Sequence, residues 1–308
     1  MNFLTLGNRG YLDFLKHLAL NFKKEYLRNH QLHIVCTDAY SFNQLGTFLR
    51  RHQCQNAILS LAPLGLAAFA NYNTPHFFRI THHKFCQIVE LVEKNDEIIY
   101  VDGDIALFKD PEVAVRQKPQ ADIIFQSDNH ENPYDTNQCT GYFYTRKNPQ
   151  TILFLKEICD RFAKNPGLND QEVLGQYFKE LGVTDVRQVK QVAIDVFNPI
   201  ECQNGFIAFQ KGQYADSRRI TIHANYLIGA LAKKVALIQC GGWFLKDGFS
   251  FLCYLGFGFL YRLGERFKTK FPILDALFVR MKRAMKRIMS RLPIPAKSAI
   301  DSGGNKAS

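Results

Sequence analysis

The sequence predicts an α/β fold with a mostly parallel central sheet flanked by helices. Strand-like and helix-like segments alternate along residues 1–245, which is typical of a parallel sheet covered on both faces. Several strand-like segments are runs of β-branched and apolar residues, which indicates burial between two helical layers. With 308 residues, 46% of them hydrophobic and 22% charged, the chain can bury a large core.

The first β-α-β unit is predicted at the start of the chain. Residues 3–6 form a strand-like run, and the Gly-Asn-Arg-Gly turn at 7–10 leads into a helix. That helix is indicated by apolar residues at helical spacing, namely Tyr11, Leu15, Leu18, Phe22 and Tyr26. Residues 32–36 form the second strand.

The later elements follow from the same patterns. We predict a helix at 42–51, a strand at 57–61, a helix at 82–92 and a buried strand at 97–101. Further along we predict strands at 121–125, 140–144 and 219–223, a helix at 149–164 and another that begins at 169–171.

Two aspartates follow the buried strand at 97–101, in the segment Asp102-Gly103-Asp104. Ligands of open α/β sheets bind beyond the carboxyl ends of the strands, so this pair stands where a metal site is expected. Carboxylates suit a hard divalent cation, and Gly103 lets the backbone approach a ligand closely. The alternatives are a solvated turn and a phosphatase of the haloacid-dehalogenase type, with an aspartyl nucleophile. Ala106 argues against that phosphatase, which has a threonine or similar residue there.

A series of short motifs follows a fixed order along residues 3–245. The motifs are Asn8-Arg-Gly10, Lys84, Asp102-Gly-Asp104 with Lys109-Asp-Pro111, Ser127-Asp128, Thr140-Gly-Tyr-Phe-Tyr144, Asn169-Asp-Gln171 and His223-Ala-Asn225, then Gly229, Lys233 and Trp243. In this order the sequence resembles the nucleotide-diphospho-sugar transferases of the glycosyltransferase family 77 kind, and more broadly the retaining, metal-dependent enzymes of the GT-A fold. The resemblance implies a GT-A-like, Rossmann-related domain at 1–245. It also implies sugar transfer from a nucleotide diphosphate sugar, with a UDP-sugar expected, and retention of anomeric configuration.

The resemblance implies roles for individual residues. Asp102, Asp104 and His223 would bind the metal, with Mn²⁺ or Mg²⁺ as the cofactor. Asp170 and Gln171 would be the catalytic pair that faces the transferring sugar, although aspartate in a first helical turn is also favoured as an N-cap. The residues expected to bind the nucleotide sugar are Asn8, Arg9, Gly10, Tyr11, Lys84, Asp102, Gly103, Gly229 and Lys233.

Some of these assignments keep an alternative. Lys234 competes with Lys233 for the diphosphate. The turn at 8–11 either presents backbone N–H groups to an anion or a base edge, or is an ordinary strand-helix loop. Family members have asparagine directly before the Thr-Gly, whereas here Cys139 stands there and Asn137 lies two residues earlier. Cys139 is therefore assigned no catalytic role.

The last part of the chain is basic and amphipathic. Residues 262–291 carry ten Lys and Arg residues against Glu265 and Asp275, so most of the net charge of +11 lies there. Apolar residues from Leu274 to Leu292 recur at helical spacing, as in helices that lie on anionic membranes; a basic helix packed on the catalytic domain is the alternative. We predict a membrane-associating region at 246–297 and a disordered tail at 298–308. Nucleic acid is not an expected partner, because the basic residues cluster in one tail.

Cysteine usage and hydropathy bear on localisation. Eight cysteines fall at irregular spacings without a C-x-x-C pair, which favours free thiols in a reducing compartment. With no export signal and no apolar stretch of about 20 residues in view, a cytoplasmic protein peripherally associated with a membrane is expected. Its expected partners are a nucleotide-sugar donor and a glycan or lipid-linked glycan acceptor. Besides the phosphatase, a catalytically silent carbohydrate-binding module on the same fold remains open.

Overall fold

The computed structural model describes residues 1–64 and 74–245. The strands in these ranges are β1 (Asn2–Gly7), β2 (Gln31–Cys36), β3 (Ala57–Leu61), β4 (Glu97–Val101), β5 (Ile105–Leu107), β6 (Ile123–Ser127), β7 (Gln138–Arg146), β8 (Ile194–Val196), β9 (Cys202–Gln203) and β10 (Thr221–His223). The α-helices are α1 (Leu12–Asn21), α2 (Ala39–Arg51), α3 (Pro75–Lys94), α4 (Glu112–Arg116), α5 (Pro149–Lys164), α6 (Asp170–Glu180) and α7 (Ala230–Gln239). The regions predicted at 246–297 and 298–308 lie outside the described residues.

The central sheet has seven strands in the order β3-β2-β1-β4-β7-β6-β8. Strands β1 to β4 run parallel, and β8 is parallel to β6, so the predicted mostly parallel sheet is confirmed. Strand β7 is the exception, since it is antiparallel to both β4 and β6. Val101, the last residue of β4, pairs with Tyr142 in the middle of β7. The antiparallel direction therefore brings residues 138–141 to the edge of the sheet where β4 ends.

A second, three-stranded sheet has the order β5-β10-β9. Strand β5 is antiparallel to β10, and Ile105 pairs with His223. Only three residues separate Val101 from the start of β5, so the segment Asp102-Gly103-Asp104 connects the two sheets. Because β5 has only three residues, its periodicity is too short to identify it from the sequence.

Four of the described α-helices, α2, α3, α5 and α6, begin where a capping side chain accepts a hydrogen bond from a backbone N–H of the first turn. Thr74 accepts a hydrogen bond from the Phe77 N–H at the start of α3, and Asn148 accepts one from Thr151 at the start of α5. Asn169 and Glu172 form a reciprocal capping box at the start of α6. The predicted bounds of α5 match the structure, whereas α7 was not predicted.

Helices on both faces of the sheet bury separate apolar layers. On one face Leu15 and Leu18 of α1 pack with Phe3 of β1, and all three are fully buried. On the other face Phe85 of α3 and Phe154 of α5 pack against apolar side chains of the same sheet. No helix within residues 1–64 and 74–245 is long and apolar enough to cross a bilayer.

Candidate active site

Three side chains meet where the two sheets join. Asp102 directly follows β4, Asp104 directly precedes β5, and His223 ends β10 opposite Ile105. The His223 Nε2 atom lies 3.8 Å from Asp102 Oδ2 and 3.6 Å from Asp104 Oδ1. One ligand atom from each residue can be chosen so that all three lie within 4.8 Å of one another. The strand pairing thus places the predicted metal ligands together.

The orientation of His223 is set by Gln126 of β6. The Gln126 side-chain amide donates to the backbone carbonyl of Cys202 over 3.1 Å, so its NH₂ group faces that carbonyl. Its Oε1 atom then faces His223 Nδ1 at 3.0 Å, and the histidine must donate to it. The Nε2 lone pair is therefore directed at the two aspartates, as in metal-binding histidines whose other nitrogen is hydrogen-bonded.

Asp102 is held from both sides. The Tyr100 hydroxyl donates to Asp102 Oδ1 over 2.7 Å, and the Asp102 backbone N–H donates to the Gly141 carbonyl over 2.7 Å. Burial raises the pKa of Asp102, and the charge of Lys84 opposes that shift. Oδ2 is the carboxylate oxygen that faces His223.

Gly141 of β7 provides the room for this arrangement. A Cβ atom at this position would lie 2.4 Å from Asp102 Oδ2 and 2.5 Å from His223 Cε1. Both distances are far shorter than van der Waals contact, so any side chain at 141 would displace two of the three candidate ligands. Two carboxylates, one imidazole nitrogen and a space kept free of side chain fit a hard divalent cation.

Asp104 is buried and has a cationic partner. Lys233 of α7 donates to Asp104 Oδ2 over 2.6 Å, and the Asp104 side chain is 2% exposed. Burial is the largest single effect and opposes ionisation of this carboxyl group, but Lys233 and His223 together outweigh burial and lower its pKa. Lys234 instead pairs with Asp13, so the structure places Lys233, and not Lys234, beside the metal ligands. Gly229 precedes α7 with a φ of 88°, a conformation that favours glycine.

A second buried network lies beneath Gly141. Lys84 of α3 pairs with Asp170, and it also donates to the Thr140 carbonyl over 3.0 Å. The Thr140 hydroxyl donates to Asp170 Oδ2 over 2.7 Å. Asn169 caps α6, so Asp170 is not the N-cap that the sequence allowed as an alternative. Because Lys84 is 4% exposed, it supports Asp170 from within the protein rather than from the surface.

Gln171 lies at the open side of this network. Its side-chain amide donates to Asp128 Oδ2 over 2.8 Å and to Asn137 Oδ1 over 2.9 Å. Asn225, two residues after His223, donates to Asp128 Oδ1 over 2.9 Å. Asn137 stands two residues before the position that asparagine has in family members, directly before the Thr-Gly. It nevertheless contacts Gln171, the glutamine predicted to face the sugar. The Cys139 thiol lies 3.5 Å from His223 Nδ1.

Three backbone N–H groups of the turn at 8–11 donate hydrogen bonds within the protein. The Arg9 N–H donates to Asp38 Oδ2 over 2.8 Å, and the Gly10 N–H donates to Asn8 Oδ1 over 3.0 Å. The Tyr11 N–H donates to the Asn8 carbonyl over 2.8 Å. These three N–H groups therefore have partners within the protein, and the role of residues 8–11 in nucleotide binding stays a prediction. The Arg9 guanidinium lies 4.5 Å from the Tyr40 ring centroid.

Tyr100 and Gln126 hold candidate metal ligands in place through hydrogen bonds, and neither residue was predicted from the sequence to belong to the site. Tyr100 stands two residues before Asp102 in a strand, so both side chains lie on the same side of the chain, and that spacing was a usable signal. Gln126 is a polar residue at the end of a buried strand, but its contact with His223 spans 97 residues. No local pattern shows that contact.

Comparisons with known proteins identify the family and the fold of this chain. The model of the nucleotide-diphospho-sugar transferase family matches residues 30–237. UDP-galactose:fucoside alpha-3-galactosyltransferase of Dictyostelium discoideum is 20% identical in an alignment of 281 residues that covers 79% of this chain and 43% of that protein. The chain thus spans less than half the length of this relative.

Two solved structures share the fold. The galactosyltransferase LgtC, in complex with donor and acceptor sugar analogues, matches with a TM-score of 0.54 at 10% identity, over 80% of this chain and 98% of that chain. The glycosyltransferase GlyE of Streptococcus pneumoniae TIGR4 matches with a TM-score of 0.51 at 14% identity, over 85% of this chain and 63% of that chain. At these identities the likeness is one of fold alone.

Proposed function

This chain belongs to the nucleotide-diphospho-sugar transferase family of glycosyltransferases, with a GT-A-like fold, and we propose that it transfers a sugar from a UDP-sugar to a hydroxyl group of a glycan or glycolipid. Retention of anomeric configuration is part of the proposal. The observation that supports the proposed sugar transfer is the convergence of Asp102, Asp104 and His223 beside Lys233. These are the groups that a metal ion and a diphosphate would require at one place.

The chemistry of the site suits a diphosphate leaving group. In the transfer, the bond between the anomeric carbon and the phosphate oxygen breaks and its electron pair stays on the diphosphate. A new bond forms from the acceptor oxygen to the anomeric carbon, and the hydroxyl proton is released. A divalent cation, Mn²⁺ or Mg²⁺, held by Asp102, Asp104 and His223 would neutralise the charge of the diphosphate. Lys233 adds a point charge at the same position.

The pair of Asp170 and Gln171 is proposed to face the transferring sugar. Asp170 is fixed by Lys84 and the Thr140 hydroxyl, so its carboxylate has little freedom to move. Gln171 shares Asp128 with Asn225, which links the sugar-facing glutamine to the strand that carries His223. We propose that Lys84 acts through Asp170 as a positioning residue.

The other function classes lose their support once the family is known. A haloacid-dehalogenase-type phosphatase is a different family, and a silent carbohydrate-binding module has no need for three converging metal ligands. Peripheral attachment to an anionic membrane at the cytoplasmic face remains a proposal based on residues 246–297. Vesicle co-sedimentation with anionic lipid, before and after removal of residues 246–308, tests it, and equal pelleting of both forms would contradict it.

The proposed reaction is tested with a panel of nucleotide sugars in the presence of Mn²⁺, by measuring released UDP or other nucleoside diphosphate. We expect release from one donor, loss of release with EDTA and recovery when Mn²⁺ is added in excess. Release that is indifferent to EDTA would contradict the metal-dependent mechanism. Absence of release from every donor, despite tight nucleotide binding, would contradict the transferase activity itself.

A further inference from the structure

Tyr226 has an unusual backbone conformation close to the site. Its φ is 59°, in the left-handed region that bulky side chains rarely adopt. It lies three residues after His223 and three before Gly229, in the segment that connects a candidate metal ligand to the helix of Lys233. Such conformations cost free energy and are concentrated at functional sites.

The Tyr226 side chain is held in place but remains exposed. Its hydroxyl donates to the Asp128 backbone carbonyl over 2.8 Å, while the residue is 46% exposed. The Phe206 ring lies 6.1 Å away at an angle of 57°, and the His130 ring lies 4.7 Å from Phe206. We refer to Tyr226, Phe206 and His130 as the aromatic wall. An exposed ring fixed at both its hydroxyl and its backbone offers a flat apolar surface that is ordered before a ligand binds.

Polar groups stand beside the aromatic wall. Asp128, whose carbonyl anchors Tyr226, has its carboxylate between the side-chain amides of Gln171 and Asn225. A pyranose has an apolar face of C–H groups and an edge of hydroxyl groups. An aromatic ring next to a carboxylate and two amides matches both parts of such a ligand.

We propose that Tyr226 is the platform on which the acceptor sugar stacks, and that the acceptor is therefore a pyranose whose apolar face is free. The assignment to the acceptor rests on the proposed transferase function, because Lys233 and the metal ligands are assigned to the donor diphosphate. Tyr226 then determines acceptor specificity, while the donor half of the site is independent of it.

The test uses Tyr226→Gly, which removes the ring and also relieves the strained backbone. Gln53→Gly is a matched control, because Gln53 is the other described non-glycine residue with a positive φ, at 52°, and lies in the turn after α2. Gln53→Gly should keep or raise the melting temperature, because it relieves a positive φ. Tyr226→Gly also loses a hydrogen bond and a ring contact, so circular dichroism verifies that this variant is folded before ligand binding is measured.

Ligand binding is measured by saturation-transfer NMR with methyl α-D-galactopyranoside, methyl α-L-fucopyranoside and methyl β-D-glucopyranoside, in the presence of UDP and of Mg²⁺, which is diamagnetic and does not broaden the ligand signals. We expect ring C–H signals from at least one glycoside with the wild type and Gln53→Gly, and their loss with Tyr226→Gly. UDP affinity should be the same in all three proteins. Equal signals with Tyr226→Gly, or no signal with the wild type, would overturn the proposal.

Turnover provides a second readout. With an active donor, Tyr226→Gly should raise the KM for the bound glycoside at least about tenfold and leave the KM for the donor unchanged. If the NMR signals behave as expected but no donor is turned over, the transferase proposal fails and the pyranose platform stands. If turnover occurs and the acceptor KM is unchanged, the platform fails and the transferase proposal stands.

Discussion

Two clusters within residues 1–64 and 74–245 contain one histidine and two acidic residues, and we propose that only one of them binds a metal. The cluster of Asp102, Asp104 and His223 lies at the carboxyl ends of the strands, and the cluster of His30, Asp110 and Glu112 lies elsewhere. In the second cluster the His30 Nε2 atom lies 2.9 Å from Asp110 Oδ1, which is an ordinary hydrogen bond. Glu112 is engaged by Arg116 over 2.9 Å. The ligand atoms there are used by the protein itself.

The first cluster keeps its ligand atoms apart. The His223 Nε2 atom is 3.6 Å or more from both carboxylates, too far for a hydrogen bond. Its other nitrogen is occupied by Gln126, and Gly141 keeps the intervening space free of side chain. Residue types alone therefore do not distinguish the two clusters. The proposed metal site rests on lone pairs that face one another across a gap, with supporting partners behind them.

The largest expected effect separates the two clusters directly. Asp104→Asn removes a ligand and should lower metal-dependent nucleoside diphosphate release by about a thousandfold. Asp110→Asn makes the same chemical change in the other cluster and should leave release within about twofold of the wild type. Steady-state release assays at fixed Mn²⁺, with circular dichroism to verify folding, provide the measurement. Similar losses in both variants would remove the distinction.

Gly141→Ala tests the space between the ligands. The added methyl group would displace Asp102 and His223, so we expect Mn²⁺ affinity to fall by about a hundredfold. Gly167→Ala is the control, since a Cβ at that position meets no atom within 4 Å. Calorimetric titration with Mn²⁺ and UDP measures both. Wild-type affinity in Gly141→Ala would show that the ligands do not use this geometry.

Gln126→Leu tests the support behind His223. Without an acceptor for Nδ1–H, the imidazole loses its fixed orientation, and Mn²⁺ affinity should fall by about tenfold. Gln126→Glu keeps an oxygen that accepts from Nδ1–H and should bind Mn²⁺ more tightly than Gln126→Leu. The same titration compares the two variants. Equal affinities in both would indicate that Gln126 has only a packing role.

The smallest effect is expected for the stability of the other cluster. Asp110 accepts hydrogen bonds from His30 and from the Glu112 backbone N–H over 2.9 Å. Asp110→Asn should therefore lower the free energy of unfolding by about 1 kcal/mol. Urea denaturation measures this change, which should be the same with and without Mn²⁺. A loss of stability seen only with Mn²⁺ would mean that this cluster binds the ion.

Much of the fold could be predicted because most elements carry a clear local pattern. The strands at 57–61 and 97–101 and the helix at 149–164 have the predicted bounds. Strand β7 was located, but its antiparallel direction depends on partners far along the chain. Helix α7 was missed because Lys233 and Lys234 interrupt its apolar run and were interpreted only as phosphate ligands.

Part of the candidate site could also be predicted from local sequence patterns. Asp102 and Asp104 stand beside a strand whose end is visible in the sequence, and the resemblance to a family supplied His223. The contacts that orient these ligands, from Gln126 and Gly141, join distant strands and have no local signature. The hydrogen bond from the Arg9 N–H to Asp38 could not be predicted either, because Asp38 follows a different strand. The regions predicted beyond residue 245 lie outside the described structure.

The most direct test of the account is the stoichiometry of Mn²⁺ binding, measured by electron paramagnetic resonance of free Mn²⁺ in the presence of UDP. We expect one tightly bound Mn²⁺ ion per chain in the wild type and in Asp110→Asn. At the same Mn²⁺ concentration we expect no bound ion in Asp104→Asn. Undiminished binding in Asp104→Asn, or loss of the ion in Asp110→Asn, would contradict this account.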